Sequence, residues 1–235
     1  MNNSSGKLEA VIFDWGGTLT PWHTIDPYEC WFAVTEDPEQ AKALMSAEQA
    51  VWEWVRHEHR SGTLTDILSA AQLSLSEAQL AAYYRWWDAH TYTDPQVPEL
   101  FAALRERGLK IGVLSNTTWP EHQHARIFSR DQVDHLIDGA VYSSEIPWAK
   151  PHPEAFLAAL AAVGVSEPQR AAYVGDRLFE DVYGANRVGM RAVLLPHSSI
   201  PTSQLGVDGT PDAVIDSLAD LVGVVDGWLS EPDSD

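Results

Sequence analysis

The chain has 235 residues, of which 45% are apolar and 21% charged, the composition of a globular protein with one main domain and room for an insertion. Its formal net charge of −19 argues against binding to nucleic acid or to an anionic membrane surface. An anionic substrate would therefore need local positive groups, such as a metal ion, a lysine or helix N-termini.

The chain ends and the cysteine content indicate the compartment. The first ten residues are polar and lack the apolar segment of a secretory signal. Cys30 is the only cysteine, which excludes an internal disulfide framework, and its apolar surroundings favour a buried, unreactive thiol. We expect a cytoplasmic monomer or homodimer with flexible ends at residues 1–7 and 230–235.

Short apolar segments that end in polar residues or glycine predict a series of buried strands. In chain order these are residues 8–15, 109–116, 138–144, 171–176 and 191–196, with a further short strand at 212–216. Helical patterns are found at residues 97–108, 152–164, 178–189 and 217–229. Strands that alternate with helices predict a Rossmann-like α/β core, in which a parallel sheet has helices on both faces.

The segment from residue 22 to residue 94 has a different character. It contains no convincing strand and holds six of the ten tryptophans. Three helices are predicted in it. The first begins with Asp37 as N-cap and Pro38 in the first turn and is followed by Gly62. The second is a short helical pattern at 63–73, and the third begins with Ser76 and Gln79 at capping-box spacing. We expect residues 8–21 and 95–229 to form the catalytic core and residues 22–94 to form an inserted helical domain.

Polar residues follow four of the predicted strands. They are Asp14, Ser115 with Asn116, Lys150, and Asp176 with Asp181. Because parallel sheets bind ligands beyond the carboxyl ends of their strands, we expect these side chains to converge. Asp14 and Asp176 offer the carboxylate oxygens that Mg²⁺ prefers, and Lys150 adds a compact positive charge.

The same edge of the sheet also offers donors for a phosphate group. The hydroxyl of Ser115 and backbone amides near Gly17 and Asn116 can donate to phosphoryl oxygens. An ionised carboxylate beside a metal ion can attack phosphorus and form an aspartyl phosphate. The residues alone thus predict a phosphoryl-transfer site.

Four motifs make the chain resemble the haloacid dehalogenase-like superfamily of hydrolases. In the order of that family they are FDWGGTLT (13–20), VLSN (113–116), AKPHPEAF (149–156) and GDRLFEDVYGANRVGM (175–190). The resemblance covers residues 8–21 and 95–196. It implies that residues 22–94 are a helical cap that closes over the site, and that the substrate is a small phosphorylated metabolite.

The resemblance also implies roles for individual residues. Asp14 would be the nucleophile, Ser115 a phosphate ligand, and Lys150 a stabiliser of the nucleophile and the transferring phosphoryl group. The predicted substrate-binding residues are Gly17, Asn116, Trp22 and His23. A Mg²⁺ ion would be held by Asp14, by the backbone carbonyl of Gly16, and by Asp176, with Asp181 in support directly or through water.

The first motif departs from the usual phosphatase pattern. Phosphatases of this superfamily have DxDGT, whose second aspartate protonates the leaving group, whereas this chain has Gly16 at that position. Positioned acid–base catalysis is typically worth about 10²–10⁴ in rate. The candidates for a replacement acid are His23 and the cluster of His57, Glu58 and His59.

Tryptophans lie close to several of these motifs. Trp15, Trp22, Trp119 and Trp148 are each within a few residues of a predicted site residue. Tryptophan side chains most often pack in a protein core, but four near one site favour a substrate with an apolar or ring-bearing part.

Two other readings stay open. Phosphonoacetaldehyde hydrolases have a similar DWAGT-like motif and use a cap lysine as a Schiff base, and haloacid dehalogenases also lack the second aspartate. The only lysine in residues 22–94 is Lys42, for which a solvated surface position is expected, and the GDRLFED motif favours a metal-dependent enzyme. The second reading, motivated by Gly16, is a degenerate family member that binds a phosphorylated ligand or a partner protein without turnover.

Overall fold

The computed structural model describes residues 7–21, 25–196 and 209–231. Trp22 and His23, for which roles in substrate binding were predicted, lie outside the described residues, as do the chain ends at 1–6 and 232–235. None of the helices in the described ranges is long and apolar enough to span a bilayer.

The core is a six-stranded sheet in which every neighbouring pair of strands is parallel. The strands are β1 (Ala10–Phe13), β2 (Lys110–Ser115), β3 (Gly139–Tyr142), β4 (Ala171–Gly175), β5 (Arg191–Leu194) and β6 (Ala213–Val214). Their order across the sheet is β3-β2-β1-β4-β5-β6. The predicted Rossmann-like parallel sheet is confirmed, although the strands are shorter than the predicted segments.

The position of β1 explains where the site forms. Phe13 pairs with Val113 of β2 on one side and with Val174 of β4 on the other. The residues that follow these three strands therefore emerge side by side at one edge of the sheet. Because all four residues of β1 are buried, its sequence is a continuous apolar run, as expected for a strand covered on both faces.

The helices fall into two groups. The first group follows β1 and forms the helical segment: α1 (Pro27–Thr35), α2 (Pro38–Glu58), α3 (Leu64–Ala71) and α4 (Glu77–Asp88). Those of the core are α5 (Val97–Glu106), α6 (Glu121–Arg130), α7 (Pro153–Ala162), α8 (Gly184–Val188) and α9 (Leu221–Leu229). Hydrophobic side chains cover both faces of the sheet, and the cluster on one face continues into the first group of helices.

Two of these helices were not predicted. In α1 the buried residues are Cys30, Trp31 and Val34, and aromatic and β-branched neighbours hide the helical period. In α6 the sequence is mostly polar, and one of its few buried residues is His124, which a hydrophobic pattern does not register. Both helices depend on tertiary packing more than on their own sequence pattern.

The predicted start of α2 is confirmed and its predicted end is wrong. The side chain of Asp37 accepts hydrogen bonds at the N-terminus, and Pro38 is the first helical residue. The helix ends at Glu58 and not near Gly62, because His59 adopts a left-handed conformation with φ of 52°. The carbonyl of His59 then accepts a hydrogen bond from the amide of Ala149 in the core, at 2.9 Å, which draws the chain away from the helix axis.

The predicted helix at 178–189 is divided into two parts. Residues Leu178–Tyr183 form a π-helical turn that leads into α8. In this turn the amides of Asp181 and Val182 both donate to the carbonyl of Arg177, each at 3.2 Å. The π-helical turn directs the side chain of Asp181 back toward the end of β4, an irregularity common at functional sites.

Candidate active site

The turn after β1 fixes Asp14 at the centre of the sheet edge. The amide of Asp14 donates to the carbonyl of Val174 at 2.9 Å, and the carbonyl of Trp15 accepts from the amides of Leu19 and Thr20 at 3.0 and 2.9 Å. Gly17 has φ of 89°, a conformation that favours glycine. The carboxyl group of Asp14 is thus held at the start of a tight turn and is 6% exposed.

The Gly17 amide has a different partner from the one expected. It donates to the carbonyl of Thr20 at 2.9 Å, so in this conformation it closes the turn and is not directed to a ligand. The residue still lines the cavity described below.

Lys150 lies at the centre of the site. Its Nζ donates to Oδ1 of Asp14 at 2.7 Å, to Oδ1 of Asp181 at 2.6 Å and to the hydroxyl of Tyr173 at 2.8 Å. The Tyr173 hydroxyl in turn donates to the carbonyl of Leu114 at 2.8 Å. All three ammonium protons are therefore used, which fixes the position of the charge.

The side chain of Asn116 positions the loop that carries Lys150. Its amide group donates to the carbonyl of Lys150 at 3.0 Å, and its oxygen accepts from the amide of Lys150 at 2.8 Å. Ser115 is 2% exposed and, like Asn116, lines the cavity. The ends of β2 and of the loop after β3 are thereby joined directly beside Asp14.

The end of β4 supplies the remaining carboxylates. Oxygen atoms of Asp14, Asp176 and Asp181 lie within 4.8 Å of one another. One oxygen of Asp181 accepts from Lys150, and the other accepts from the amide of Arg177 at 2.9 Å. This approach depends on Gly175, since a Cβ at that position would lie 2.4 Å from Cγ of Asp181.

The chemistry of this donor set fits a hard divalent cation. Besides the three aspartates, the buried carboxyl group of Glu180 lies nearby, 3.8 Å from the guanidinium of Arg177. Four carboxylates thus face two cations, Lys150 and Arg177, in a site shielded from solvent. Oxygen ligands with excess negative charge are what Mg²⁺ selects, and the ion would balance that charge.

The electrostatics around Asp14 support this fit. Burial raises the pKa of Asp14 to about 7, Lys150 opposes the increase, and the charges of Asp181 and Asp176 add to it. For Lys150, burial opposes the charged form, but Asp14 and Asp181 outweigh burial and raise the pKa. A divalent cation beside the aspartates would lower the pKa of Asp14 and keep the carboxylate ionised at neutral pH.

A cavity of about 530 Å³ lies above these groups, between the sheet edge and the helices α2 and α4. From the core it is lined by Asp14, Gly16, Gly17, Ser115, Asn116 and Lys150, and from the helical segment by Glu48, Trp52, Arg56, Tyr83, Trp87 and His90. Five aromatic rings form much of its wall: Trp15, Trp52, Tyr83, Trp87 and Trp119. The hydrogen bond from Nε1 of Trp119 to the hydroxyl of Tyr83, at 2.9 Å, joins core and helical segment across it.

Several residues singled out in the sequence do not reach this cavity. His57, Glu58 and His59 do not line it, and the side chain of His57 is 76% exposed and paired with Glu53. Trp148 is 38% exposed and stacks on His152. The backbone of His59 and Ser61 is hydrogen-bonded to Ala149 and Pro147 in the loop after β3, at 2.9 and 3.0 Å.

Lys42 also lies outside the cavity. Its side chain is 60% exposed and pairs with Glu39 at 3.0 Å. The hydrogen bond and charge of Glu39 raise the pKa of Lys42, whereas a Schiff-base lysine needs a lowered pKa. The expected surface position of this lysine is confirmed.

Four titratable residues of the cavity wall were not predicted from the sequence. They are Glu48, Arg56, His90 and Arg177. Glu48, Trp52 and Arg56 follow one another at intervals of four residues on α2, a spacing that places them on one face of the helix. That spacing is visible in the sequence, but which face of α2 turns toward the sheet edge is not.

Comparison with known proteins identifies the family. The model of the haloacid dehalogenase-like hydrolases matches residues 8–189. The chain belongs to the haloacid dehalogenase-like hydrolase family. The four motifs on which the resemblance was based all begin within this match.

Curated relatives of this hydrolase include several enzymes with phosphorylated substrates in their names. Glyceraldehyde 3-phosphate phosphatase of Methanopyrus kandleri is 34% identical over 152 residues, 64% of each chain. Phosphonoacetaldehyde hydrolase of Bordetella avium is 28% identical over 194 residues, 75% of this chain and 67% of the other. N-acetylmuramic acid 6-phosphate phosphatase of Pseudomonas aeruginosa is 25% identical over 237 residues, 96% of this chain and 98% of the other. The chain thus spans about 64% of the length of the Methanopyrus relative.

Solved structures share the fold over nearly the whole chain. A HAD phosphatase from Thermococcus onnurineus superposes with a TM-score of 0.69 at 23% identity, covering 94% of this chain and 99% of the other. An L-2-haloacid dehalogenase from Xanthobacter autotrophicus with chloropropionic acid covalently bound gives 0.66 at 18% identity, with the same coverage. At these identities the similarity establishes the fold alone.

Proposed function

We propose that this hydrolase is a Mg²⁺-dependent phosphatase or phosphotransferase that acts on a small phosphorylated metabolite through an aspartyl phosphate at Asp14. The observation that carries the proposal is the convergence of three buried aspartates, two of which pair with the ammonium group of Lys150, at the floor of a cavity large enough for a metabolite. The names of the phosphatase relatives support the same substrate class.

In the proposed reaction, one oxygen of Asp14 attacks the phosphorus atom while the bond to the leaving oxygen breaks. Lys150 keeps the attacking carboxylate ionised and offsets the charge that develops on the phosphoryl group. The hydroxyl of Ser115 and the backbone amide of Asn116 donate to phosphoryl oxygens. Water then attacks the aspartyl phosphate, which releases phosphate and restores the carboxylate.

The metal ion would be held by Asp14, Asp176 and the carbonyl of Gly16, with Asp181 in support. When bound, Mg²⁺ supplies positive charge to the phosphoryl oxygens. Asp181 already accepts from Lys150 and from the Arg177 amide, so its main contribution in this arrangement is to position Lys150 beside the metal site.

Proton transfer to the leaving group is the step with no conventional donor. Gly16 has no side chain, and in the part of the chain that the structure describes His90 is the histidine that lines the cavity. We assign His90 the role of proton donor, because histidine commonly serves as a general acid. Residues 22–94 act as the cap in this proposal and exclude water from the cavity during the reaction.

Phosphate release from a panel of phosphomonoesters, with and without Mg²⁺, tests the proposal on the wild type and on Asp14→Asn. We expect Mg²⁺-dependent release that the substitution abolishes. Phosphatase activity that survives in Asp14→Asn would refute the assignment of the nucleophile. Ligand binding without any turnover on the panel would favour the degenerate member, and metal-independent dehalogenation would favour the dehalogenase reading.

A phosphonoacetaldehyde hydrolase-like reaction is not favoured by the geometry, although a relative of that name covers most of the chain. It requires a lysine that reaches the substrate carbonyl, and Lys42 is solvent-exposed outside the cavity. Borohydride trapping with a carbonyl substrate would label Lys42 only if the helical segment rearranged.

A further inference from the structure

Glu48 is an acidic residue in the aromatic part of the cavity wall. It lies on α2, is partly buried, and its Oε2 accepts a hydrogen bond from Nε1 of Trp31 at 2.8 Å. Trp52, one turn further along α2, places its indole beside the same carboxyl group. Among the described residues Glu48 forms no ion pair, and its neighbours are the indoles of Trp31 and Trp52, the thiol of Cys30 and the phenol of Tyr83.

Glu48 and Lys150 belong to different walls of this cavity, Glu48 to α2 and Lys150 to the loop after β3. The carboxyl end of α2 is joined to the core beside Lys150 through the bond between His59 and Ala149. Glu48 precedes the last residue of α2 by ten positions, or about 15 Å along the helix axis. The phosphate group is proposed to bind beside Lys150 at the sheet edge, whereas the carboxyl group of Glu48 belongs to the wall that α2 contributes.

The wall that the helical segment contributes is largely aromatic, although Arg56 and His90 also belong to it. Tyr83, Trp87 and Trp119 line the cavity together with Trp52. Aromatic faces attract cations through their negative quadrupole, and a carboxylate among them adds direct charge attraction. Rings around a single carboxylate are the chemistry of an ammonium-binding site.

We propose that Glu48 is a specificity-determining residue that binds an ammonium group at the end of the substrate remote from the phosphate. The preferred substrate class is then a phosphate monoester of an amino alcohol, with a primary or quaternary ammonium. This inference rests on the proposed phosphatase function and adds the chemical class of the substrate to it.

The electrostatics of Glu48 agree with this assignment. Burial raises the pKa of Glu48, and only the indole donors of Trp31 and Trp52 oppose the increase. An ammonium group bound beside the carboxylate would lower the pKa again and be held by it. Because the chain carries a large negative charge, a substrate with both charges would also be repelled less on approach than a phosphate ester with no cation.

The test compares two esters of the same shape: choline phosphate and its neutral carbon analogue, 3,3-dimethylbutyl phosphate. Their KM and kcat are measured on the wild type, on Glu48→Gln, and on the control Glu39→Gln, whose exposed glutamate lies on the same helix. Glutamine retains an oxygen acceptor for Trp31, so it removes the charge and keeps the shape.

The wild type and the control are expected to have a KM for choline phosphate about tenfold lower than for the neutral analogue. Glu48→Gln is expected to remove this preference with kcat changed little. Equal KM values in the wild type, or a preference that persists in Glu48→Gln, would overturn the inference. Glu48→Asp, which keeps the charge, provides the second variant and is expected to retain the preference in part.

Calorimetric binding of the same two esters to the wild type separates this inference from the proposed function. If neither ester is hydrolysed but choline phosphate binds about tenfold more tightly, the phosphatase proposal fails and the role of Glu48 stands. If both are hydrolysed and bound equally, the role of Glu48 fails and the phosphatase proposal stands.

Discussion

Nζ of Lys150 lies 2.7 Å from Oδ1 of Asp14 and 2.6 Å from Oδ1 of Asp181, with all three side chains almost fully buried. Two carboxylates that lie far apart in the sequence thus share one cation. Each charge in this group is tolerated only because the others are present, since an unpaired buried charge is costly. Stability and reactivity at the site should therefore respond together to its mutation.

Lys150→Met tests this coupling. The substitution leaves the buried aspartates without their shared cation and is expected to lower the free energy of unfolding by about 3–5 kcal/mol, as for other broken buried ion pairs. Activity should be lost as well. The matched control is Lys110→Met, whose ammonium pairs with Asp138 but is 56% exposed; its effect should stay below about 1 kcal/mol. Urea unfolding of both variants provides the measurement, and equal destabilisation would contradict the account.

Gly16→Asp tests the missing acid. A Cβ at position 16 meets no atom within 4 Å, so the added carboxyl group has room. Because His90 is proposed to donate the proton, turnover of simple alkyl phosphates should rise by much less than about 10²–10⁴, and a rise of that size would show that no donor acts in the wild type. Gly16→Asn is the matched control, with similar size and no acidic proton, and it should show no such increase.

His90→Gln tests the proposed donor by the opposite change. Hydrolysis of alkyl phosphates should fall by about 10²-fold or more, whereas esters with a phenol-like leaving group, which departs without a proton, should be affected much less. Gly16→Asp should restore activity in the double variant. If His90→Gln slows both classes of ester equally, the residue binds substrate or supports the fold and does not donate the proton.

The residues at the sheet edge could be predicted because topology alone brings them together. Asp14, Ser115 and Asp176 follow adjacent parallel strands, and no detail of side-chain packing is needed to place them at one edge. The backbone conformation at Asp181 was harder to predict from the sequence, since the π-helical turn depends on the close approach of Asp181 to Gly175. Sequence patterns represent regular helices well and such irregular turns poorly.

The cavity wall could not be predicted, because it is made by packing between helices. Glu48 lies on α2 and His90 in the turn after α4, and the sequence indicates both helices but not the direction in which each helix faces. Residues 57–59 were also predicted as candidates for the replacement acid. They do not line the cavity, and the backbone of His59 is hydrogen-bonded to Ala149, a contact between residues 90 positions apart.

Gly175→Ala is expected to weaken metal binding. The added Cβ would lie 2.4 Å from Cγ of Asp181, so this side chain must move and the carboxylate cluster must open. Mg²⁺ affinity measured by calorimetry should fall by tenfold or more, which corresponds to about 1.4 kcal/mol. Gly223→Ala in α9, where a Cβ meets nothing within 4 Å, is the control and should bind Mg²⁺ like the wild type. Unchanged affinity in Gly175→Ala would mean that Asp181 does not support the metal.

Because His124 is buried, we expect the free energy of unfolding to fall at acidic pH. It is fully buried beside Trp15 and Tyr142, and burial lowers its pKa to about 3 from an ordinary value of 6.5. Between pH 6.5 and about 3 the unfolded chain therefore binds a proton that the folded chain does not, so the free energy of unfolding falls as the pH falls.

The slope due to His124 should be about 1.4 kcal/mol per pH unit in that range. His124→Gln, which does not titrate, should lose this contribution, whereas His135→Gln, at a position whose side chain is 68% exposed, should keep the wild-type slope. Urea unfolding at pH 7, 6 and 5 measures the difference between the variants. Identical slopes in His124→Gln and the wild type would show that folding does not lower the pKa of His124.

Mass spectrometry of the protein trapped during turnover tests the central claim most directly. The wild type, incubated with Mg²⁺ and a phosphomonoester and quenched in acid, is expected to carry one phosphoryl group on the peptide that contains Asp14. The group should be labile to hydroxylamine, as an acyl phosphate is, and absent from Asp14→Asn. Rapid phosphate release with no phosphoryl group ever trapped on Asp14, or a label on another residue, would contradict the account.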